Sequence, residues 1–333
     1  MANNFSDTAS PALLFVNYHY IRDPAQYIYP GIHPIAPDDF TAQVDWLSDR
    51  FHMASPEEAQ AYISGQASLP SDSVVLTFDD GLMDQYRIAV DVLDPRGIKG
   101  IFFVTSQPLT EGHANTLQKT HWLRAMTEPG EFQVQLLDML QAEWRMAMDE
   151  PASQAAAEGI YIYDDPDVGR VKYLINFLLP ESLMDELSSG MLADRGVAEA
   201  DFCTDMYMSE RNVQELHRSG HIIGAHGHRH IPFTRIPDGD TTEIETNTAF
   251  LSSLVGKQPE WVSYPFGRDW AIPDDPESFC RHHGFRFGLT LTQGWNVGTE
   301  SPYLLKRVNT NEVEMTAQER LQIHSQENAA GVG

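Results

Sequence analysis

Two adjacent carboxylates close the apolar run Val74-Val75-Leu76-Thr77-Phe78-Asp79-Asp80-Gly81. The β-branched run reads as a buried strand. Two carboxylates at the mouth of such a strand repel each other and lose hydration, so a cation that neutralises one is their natural complement. One Asp then acts as ligand while the other is free to move protons. Further ligands follow in Gly220-His221-Ile222-Ile223-Gly224-Ala225-His226-Gly227-His228-Arg229-His230. His226 and His230 stand at i and i+4, which converges two imidazoles on one ion if the turn after the strand is helical. Asp80, His226 and His230 would form an Asp-His-His site with a position left open for water, the pattern of catalytic zinc. Each piece has a plainer explanation. Asp-Asp-Gly after a strand is often a turn that caps a helix, and a His-rich pentapeptide can be a solvated loop. Together they gain weight, because each supplies what the other lacks.

Thr77-Phe78-Asp79-Asp80-Gly81 and His226-x-x-x-His230 resemble the first two motifs of the polysaccharide deacetylases, the NodB-homology family (carbohydrate esterase family 4). Asn17-Tyr18-His19-Tyr20-Ile21 is similar to the first-strand Tyr-His pattern of bacterial members. Ser263-Tyr264-Pro265-Phe266-Gly267 resembles the third motif, and Leu304-Leu305-Lys306-Arg307-Val308 a late Leu-x-Arg strand. The resemblance covers roughly residues 11–109 and 205–312. It implies Asp79 as the base that takes a proton from water, with Asp80, His226 and His230 holding a divalent metal, zinc above others. It implies a backbone N–H of the third motif, here at Phe266, as a donor to the oxyanion.

The chain departs from the family in three places. The family's final Leu-x-x-His, source of the general acid, has one late counterpart, His324 in Leu321-Gln322-Ile323-His324. That His sits in an amphipathic helical pattern. His19, at the end of the first strand, is the stronger candidate acid, because barrel sites gather at strand C-termini. His228 is a third candidate, or points away from the metal between two ligands. The second motif has Gly227 where Ser or Thr is usual. The third motif has Ser263 where an Arg usually pairs with the catalytic Asp, and Arg307 or Arg268 could supply that charge; a surface salt bridge is the plainer role for each.

The elements that must position these residues follow a β/α rhythm. Strands are expected at 13–18, 74–78, 100–104, 222–225, 261–264, 285–289 and 304–309. Helices are expected from Pro37, from Pro56, over 84–93, 210–218, 241–254 and 276–283, and over 316–325 at the end. Strand–helix–strand alternation implies parallel pairing. Periodicity alone allows an open doubly wound sheet or a barrel. The resemblance implies the family's distorted, incomplete (β/α)7 TIM-like barrel, over residues 11–315, with residues 316–333 as a C-terminal helix and tail. Between 107 and 205 the pattern turns helical, with helices expected over 117–126, 132–148, 168–179 and 180–192. This stretch reads as a helical insertion that either only packs, or covers the pocket or makes a contact between copies of the chain.

The 333 residues carry 48 Asp and Glu against 22 Lys and Arg, a net charge of −26. That argues against nucleic acid and anionic membranes as partners. Cys203 and Cys280 are too few for a disulfide framework. No basic leader and no long apolar run is present, so neither a signal peptide nor membrane insertion is expected, and a cytoplasmic location fits. The chemistry implied is hydrolysis of an N-acetyl or N-formyl group from an amino sugar or an activated sugar precursor of surface-polysaccharide biosynthesis. The Tyr-Pro-Phe-Gly form of the third motif points to small substrates rather than polymers. A cyclic-amide hydrolase of the allantoinase-like type and an inactive sugar-binding barrel are the alternatives, and homo-oligomerisation stays open.

Overall fold

The computed structural model describes residues 10–330 apart from 30, 31, 163 and 238, with backbone alone over 323–330. Eight parallel strands form one sheet: β1 (Leu13–Tyr18), β2 (His52–Met53), β3 (Ser73–Phe78), β4 (Ile101–Val104), β5 (Ile222–Ala225), β6 (Trp261–Ser263), β7 (Phe287–Leu289) and β8 (Arg307–Asn309). Their order is β7-β6-β5-β4-β3-β1-β8, and β2 pairs with the start of β3. The two ends of this order nearly meet. Leu289 and Leu305 form a parallel bridge, and Thr290 N donates to Leu305 O at 2.9 Å. The result is a distorted (β/α)7 barrel. Every residue of β1, β3 and β4 is buried, as expected where helices cover one face and the barrel interior the other.

Strand periodicity sorts the side chains into two layers. Leu14, Val16, Tyr18, Val74, Leu76, Phe78 and Phe102 pack outward against Phe40, Val44 and Leu47 of the helix Pro37–Ser48 and against Val213, Leu216 and Leu251 of later helices. Leu13, Phe15, Val75, Ile101, Phe103, Trp261 and Phe287 face inward. Phe15 on β1 meets Trp261 on β6 edge to face, with ring centroids 5.8 Å apart. Those strands are not neighbours, so the rings meet across the interior. Asn17, Asp79, Ser263 and Arg307 continue the inward-facing rows above this apolar floor, on or just beyond strand C-terminal ends.

Caps fix the helix starts. Ser55 and Glu58 form a capping box before Pro56–Ile63, and Ser209 with Asn212 forms another before Glu210–Arg218. The latter helix is capped at its end by Ser219, with Gly220 following at φ 96°.

The described residues divide into two compact units. One takes in those of Met1–Arg22, Ile35–Thr110 and Met206–Gly333, and the other those of Asp23–Pro34 and Glu111–Asp205. The second unit is helical. Where periodicity suggests one helix over 132–148, there are two, Pro129–Met139 and Ala142–Asp149. Leu140 adopts an extended conformation between them (φ −86°, ψ 144°) and is buried there. Its packing overrides a local sequence that has no breaker. The unit also holds the helix Pro151–Ile160 and all but the last residue of the helix Glu199–Met206, neither of which periodicity reveals. Its buried cation, Lys119, is paired with Asp185 at 2.6 Å and Glu199 at 2.9 Å.

Candidate metal centre and base

Asp79 and Asp80 leave the end of β3 in different directions. Asp79 continues the inward row. Asp80 takes φ 80°, a left-handed conformation uncommon outside glycine, and Gly81 follows at φ 72°. A strained residue at a strand end is an observation that points to function. The turn swings the Asp80 carboxylate towards the loop after β5.

There Asp80 Oδ1 lies 3.4 Å from Nε2 of His226 and 3.4 Å from Nε2 of His230. One ligand atom from each of the three residues falls within 4.8 Å of the others, and all three are buried. Asp80 Oδ1 makes no hydrogen bond, and neither does the buried Nδ1 of His230. A buried carboxylate oxygen without a partner is costly, and a cation among the three atoms removes that cost. His226 Nδ1 donates to Ser263 O at 2.8 Å, which leaves the Nε2 lone pair facing Asp80. The donor set suits a divalent ion.

The two imidazoles converge without a helix. Residues 226–230 form a loop that reverses through Gly227 (φ 79°) and His230 (φ 63°). A buried Glu243 staples it. The Arg229 N–H donates to Glu243 Oε1 at 2.6 Å, Arg229 Nε donates to Oε2 at 3.0 Å, and the His228 N–H donates to the Glu243 carbonyl at 3.0 Å. A Cβ on Gly227 would lie 2.9 Å from Glu243 Oε1. The carboxylate therefore occupies the space of the hydroxyl that the second motif lacks. Glu243 escaped the sequence reading because nothing local marks it. An acidic residue in the first turn of the helix Thr242–Val255 is ordinary helix chemistry.

Asp79 is held by a separate set of residues. Arg307 Nη1 donates to its Oδ1 at 2.9 Å and Ser263 Oγ to its Oδ2 at 3.1 Å. Arg307 also donates from Nη2 to Ser263 Oγ at 2.9 Å, from Nη1 to Asn17 Oδ1 at 3.1 Å and from Nε to Thr290 O at 2.8 Å. Burial would raise the Asp79 carboxyl pKa, but Arg307, His226 and His19 together outweigh it, and it sits below its ordinary value. Asp80 is lowered in the same way, against burial, by His226 and His230. Burial pulls His230 down to about 4, whereas at His226 the pull of burial is overcome by Asp79 and Asp80 and the pKa rises.

The remaining candidates fall as follows. His19 Nε2 lies 4.0 Å from Asp79 Oδ2, and its side chain is 37% exposed. His228 turns away, its Nδ1 2.9 Å from Ser106 Oγ. Phe266 takes φ 67° and Gly267 φ 58°, and the Phe266 ring lies 5.1 Å from that of His230. Arg268 is exposed. His324 belongs to the terminal helix Val313–Ala330, and its side chain lies outside the described residues.

A profile of the polysaccharide deacetylase family matches residues 66–137 and 189–288, just over half of the chain. The protein belongs to the polysaccharide deacetylase family. The match skips 138–188, inside the helical unit. YxkH of Bacillus subtilis (strain 168), which carries the same family designation, is 30% identical over 76 residues, 22% of this chain. Those residues span 27% of that relative's length. Among solved structures, IcaB of Ammonifex degensii is similar with a TM-score of 0.56 and 19% identity, over 93% of this chain and 97% of that one. The deacetylase PplD of Streptococcus pyogenes, solved with acetate, gives 0.56 and 16%, over 94% and 98%. A de-N-acetylase of Aggregatibacter actinomycetemcomitans gives 0.51 and 16%, over 89% and 94%. At these identities the structures speak for a shared fold. Among the described residues, no helix is long and apolar enough to cross a membrane.

Proposed function

We propose that the protein is a divalent-metal-dependent N-deacylase that removes an acetyl or formyl group from a small amino sugar or an activated sugar precursor. One observation carries this reading: the clustered ligand atoms of Asp80, His226 and His230, with Asp80 Oδ1 lacking any hydrogen bond, lie beside an Asp79 that is anchored independently of them. A cation on the first three, zinc above others, would polarise the acyl oxygen and acidify a water. Asp79 accepts a proton from that water. Its position is fixed by Arg307 and Ser263, and its pKa below the ordinary range keeps it ionised and ready to accept. His19, half in solvent at the mouth of β1, gives the proton to the departing amine. The backbone N–H of Phe266 donates to the oxyanion.

Acetate, which the PplD structure contains, is the acyl product of such a reaction. The Tyr-Pro-Phe-Gly form of the third motif favours small substrates. We further read residues 107–205 as a helical insertion within the barrel's sequence.

The test is an assay for free amine over a panel of N-acetylated and N-formylated amino sugars, their nucleotide-activated forms and a cyclic amide, with and without added zinc. Metal-dependent release of amine from an acylated sugar is expected. Ring opening of the cyclic amide with no turnover of any sugar would replace this reading.

A further inference from the structure

The helical unit holds a cleft that plays no part in the chemistry above. It is small, open to solvent and lined by Phe132, Val168 and Val171. Tyr29, Arg124, Gln133 and Lys172 line it as well. In a chain of net charge −26, two cations on one small cleft stand out.

The state of these cations matters more than their number. Lys172 Nζ is engaged by both oxygens of Asp164, at 2.7 Å each. Arg124 is half-buried, and its guanidinium makes no hydrogen bond or ion pair among the described residues. Burial draws its pKa below the ordinary value, opposed by the more distant charge of Asp164 and by Tyr29. The Tyr29 hydroxyl and the Gln133 amide also make no hydrogen bond among the described residues. The same unit pairs its buried cation, Lys119, with two carboxylates. Arg195 likewise is bonded, to Thr127, Gln135 and a backbone carbonyl. Arg124 is therefore an exception within its own unit. A half-desolvated guanidinium offers a planar fork of donors, which fits the two oxygens of a carboxylate or phosphate.

We propose that this cleft binds a small organic oxyanion, a carboxylate or a phosphate monoester, with its charged end on Arg124 and its apolar body against Phe132, Val168 and Val171. Tyr29 and Gln133 supply the remaining donors. The site is separate in residues from the metal centre and does not depend on the function proposed there.

Isothermal titration calorimetry on the full chain tests it, with benzoate, phenyl phosphate and the neutral benzyl alcohol as probes. Saturable binding of benzoate or of phenyl phosphate is expected, the first marking carboxylates and the second phosphate monoesters, and none of benzyl alcohol. Arg124→Gln should weaken binding by about tenfold or more, the usual scale for a charge-assisted fork. Arg124→Lys, which keeps the charge without the fork, should fall between. His226→Ala should bind as the parent does, which separates this cleft from the metal centre. Circular dichroism checks that each variant is folded. No saturable binding of either anion, equal binding by Arg124→Gln, or loss of binding in His226→Ala would each overturn the proposal.

Discussion

Arg307 and Asp79 meet as a buried ion pair, 2.9 Å apart, across 228 positions of chain. The Arg comes from β8 and the Asp from the end of β3, and β1 lies between those strands in the sheet. Ser263, where the family's third motif usually carries its own Arg, has become a bridge, donating to Asp79 and accepting from Arg307. Arg307 thus supplies the buried positive charge beside Asp79.

Arg307→Met should therefore release Asp79 from the partner that most lowers its pKa. With burial unopposed by that charge, the carboxyl pKa rises, so the acidic limb of the pH–rate profile moves to higher pH. Breaking a buried pair by removing one member also costs about 3–5 kcal/mol of stability. A variant whose acidic limb stays in place, measured on folded protein, would show that Arg307 does not tune the base.

His226→Ala and His230→Ala should each lose stoichiometric divalent metal and activity together. Asp79→Asn should keep the metal while turnover falls about 10²–10⁴-fold, since only the proton acceptor is removed. Elemental analysis alongside the assay separates these outcomes. Full metal in both His variants would sink the ligand assignment.

Glu243→Ala should loosen the loop that carries both imidazoles, although Glu243 is not itself a ligand. Metal affinity is expected to drop about 10–100-fold, the range for residues that orient ligands. Gly227→Ala should do the same by a different route. The new Cβ meets Glu243 Oε1 at 2.9 Å, and φ 79° strains a side-chain-bearing residue. A competition titration with a chromophoric chelator reads both.

His19→Ala should abolish the basic limb of the pH–rate profile and lower turnover about 10²-fold or more, the scale of a lost general acid. His228→Ala should leave the basic limb intact, because that ring is turned to Ser106. If His324→Ala removes the limb and His19→Ala spares it, the proton comes from the end of the chain instead.

Stability should depend on pH through His221, a residue remote from catalysis. It is buried, its Nδ1 accepts from the Gly100 N–H at 3.0 Å, and its ring stands edge-on to Phe102. Burial pulls its pKa down to about 4. The unfolded chain thus binds the proton first, so this contribution to stability is complete above about pH 6.5 and is lost as the pH falls towards 4. In His221→Gln that part of the acid sensitivity should vanish. Urea midpoints for parent and variant between pH 4 and 7 give the difference directly, and parallel curves would refute it.

Residue types and local spacing determined much of this protein. The buried runs that became β1, β3, β4 and β5 are readable because a parallel strand covered on both faces needs near-continuous apolar sequence. Asp79, Asp80, His226 and His230 stand out because carboxylates and imidazoles at the ends of such runs are costly without a use. The stops at Pro and Gly and the caps at Ser55 and Ser209 are equally local. Tertiary structure decided what depends on contacts between distant segments. Leu140 breaks a helix through its packing rather than its type. The imidazoles converge through a glycine turn held by Glu243 rather than through one turn of helix. The choice of Arg307 over Arg268 as the partner of Asp79 rests on which side chain the inward row of β8 carries into the barrel. Pairing energies of this kind come from burial and from alignment across the sheet, and neither is a property of a sequence window.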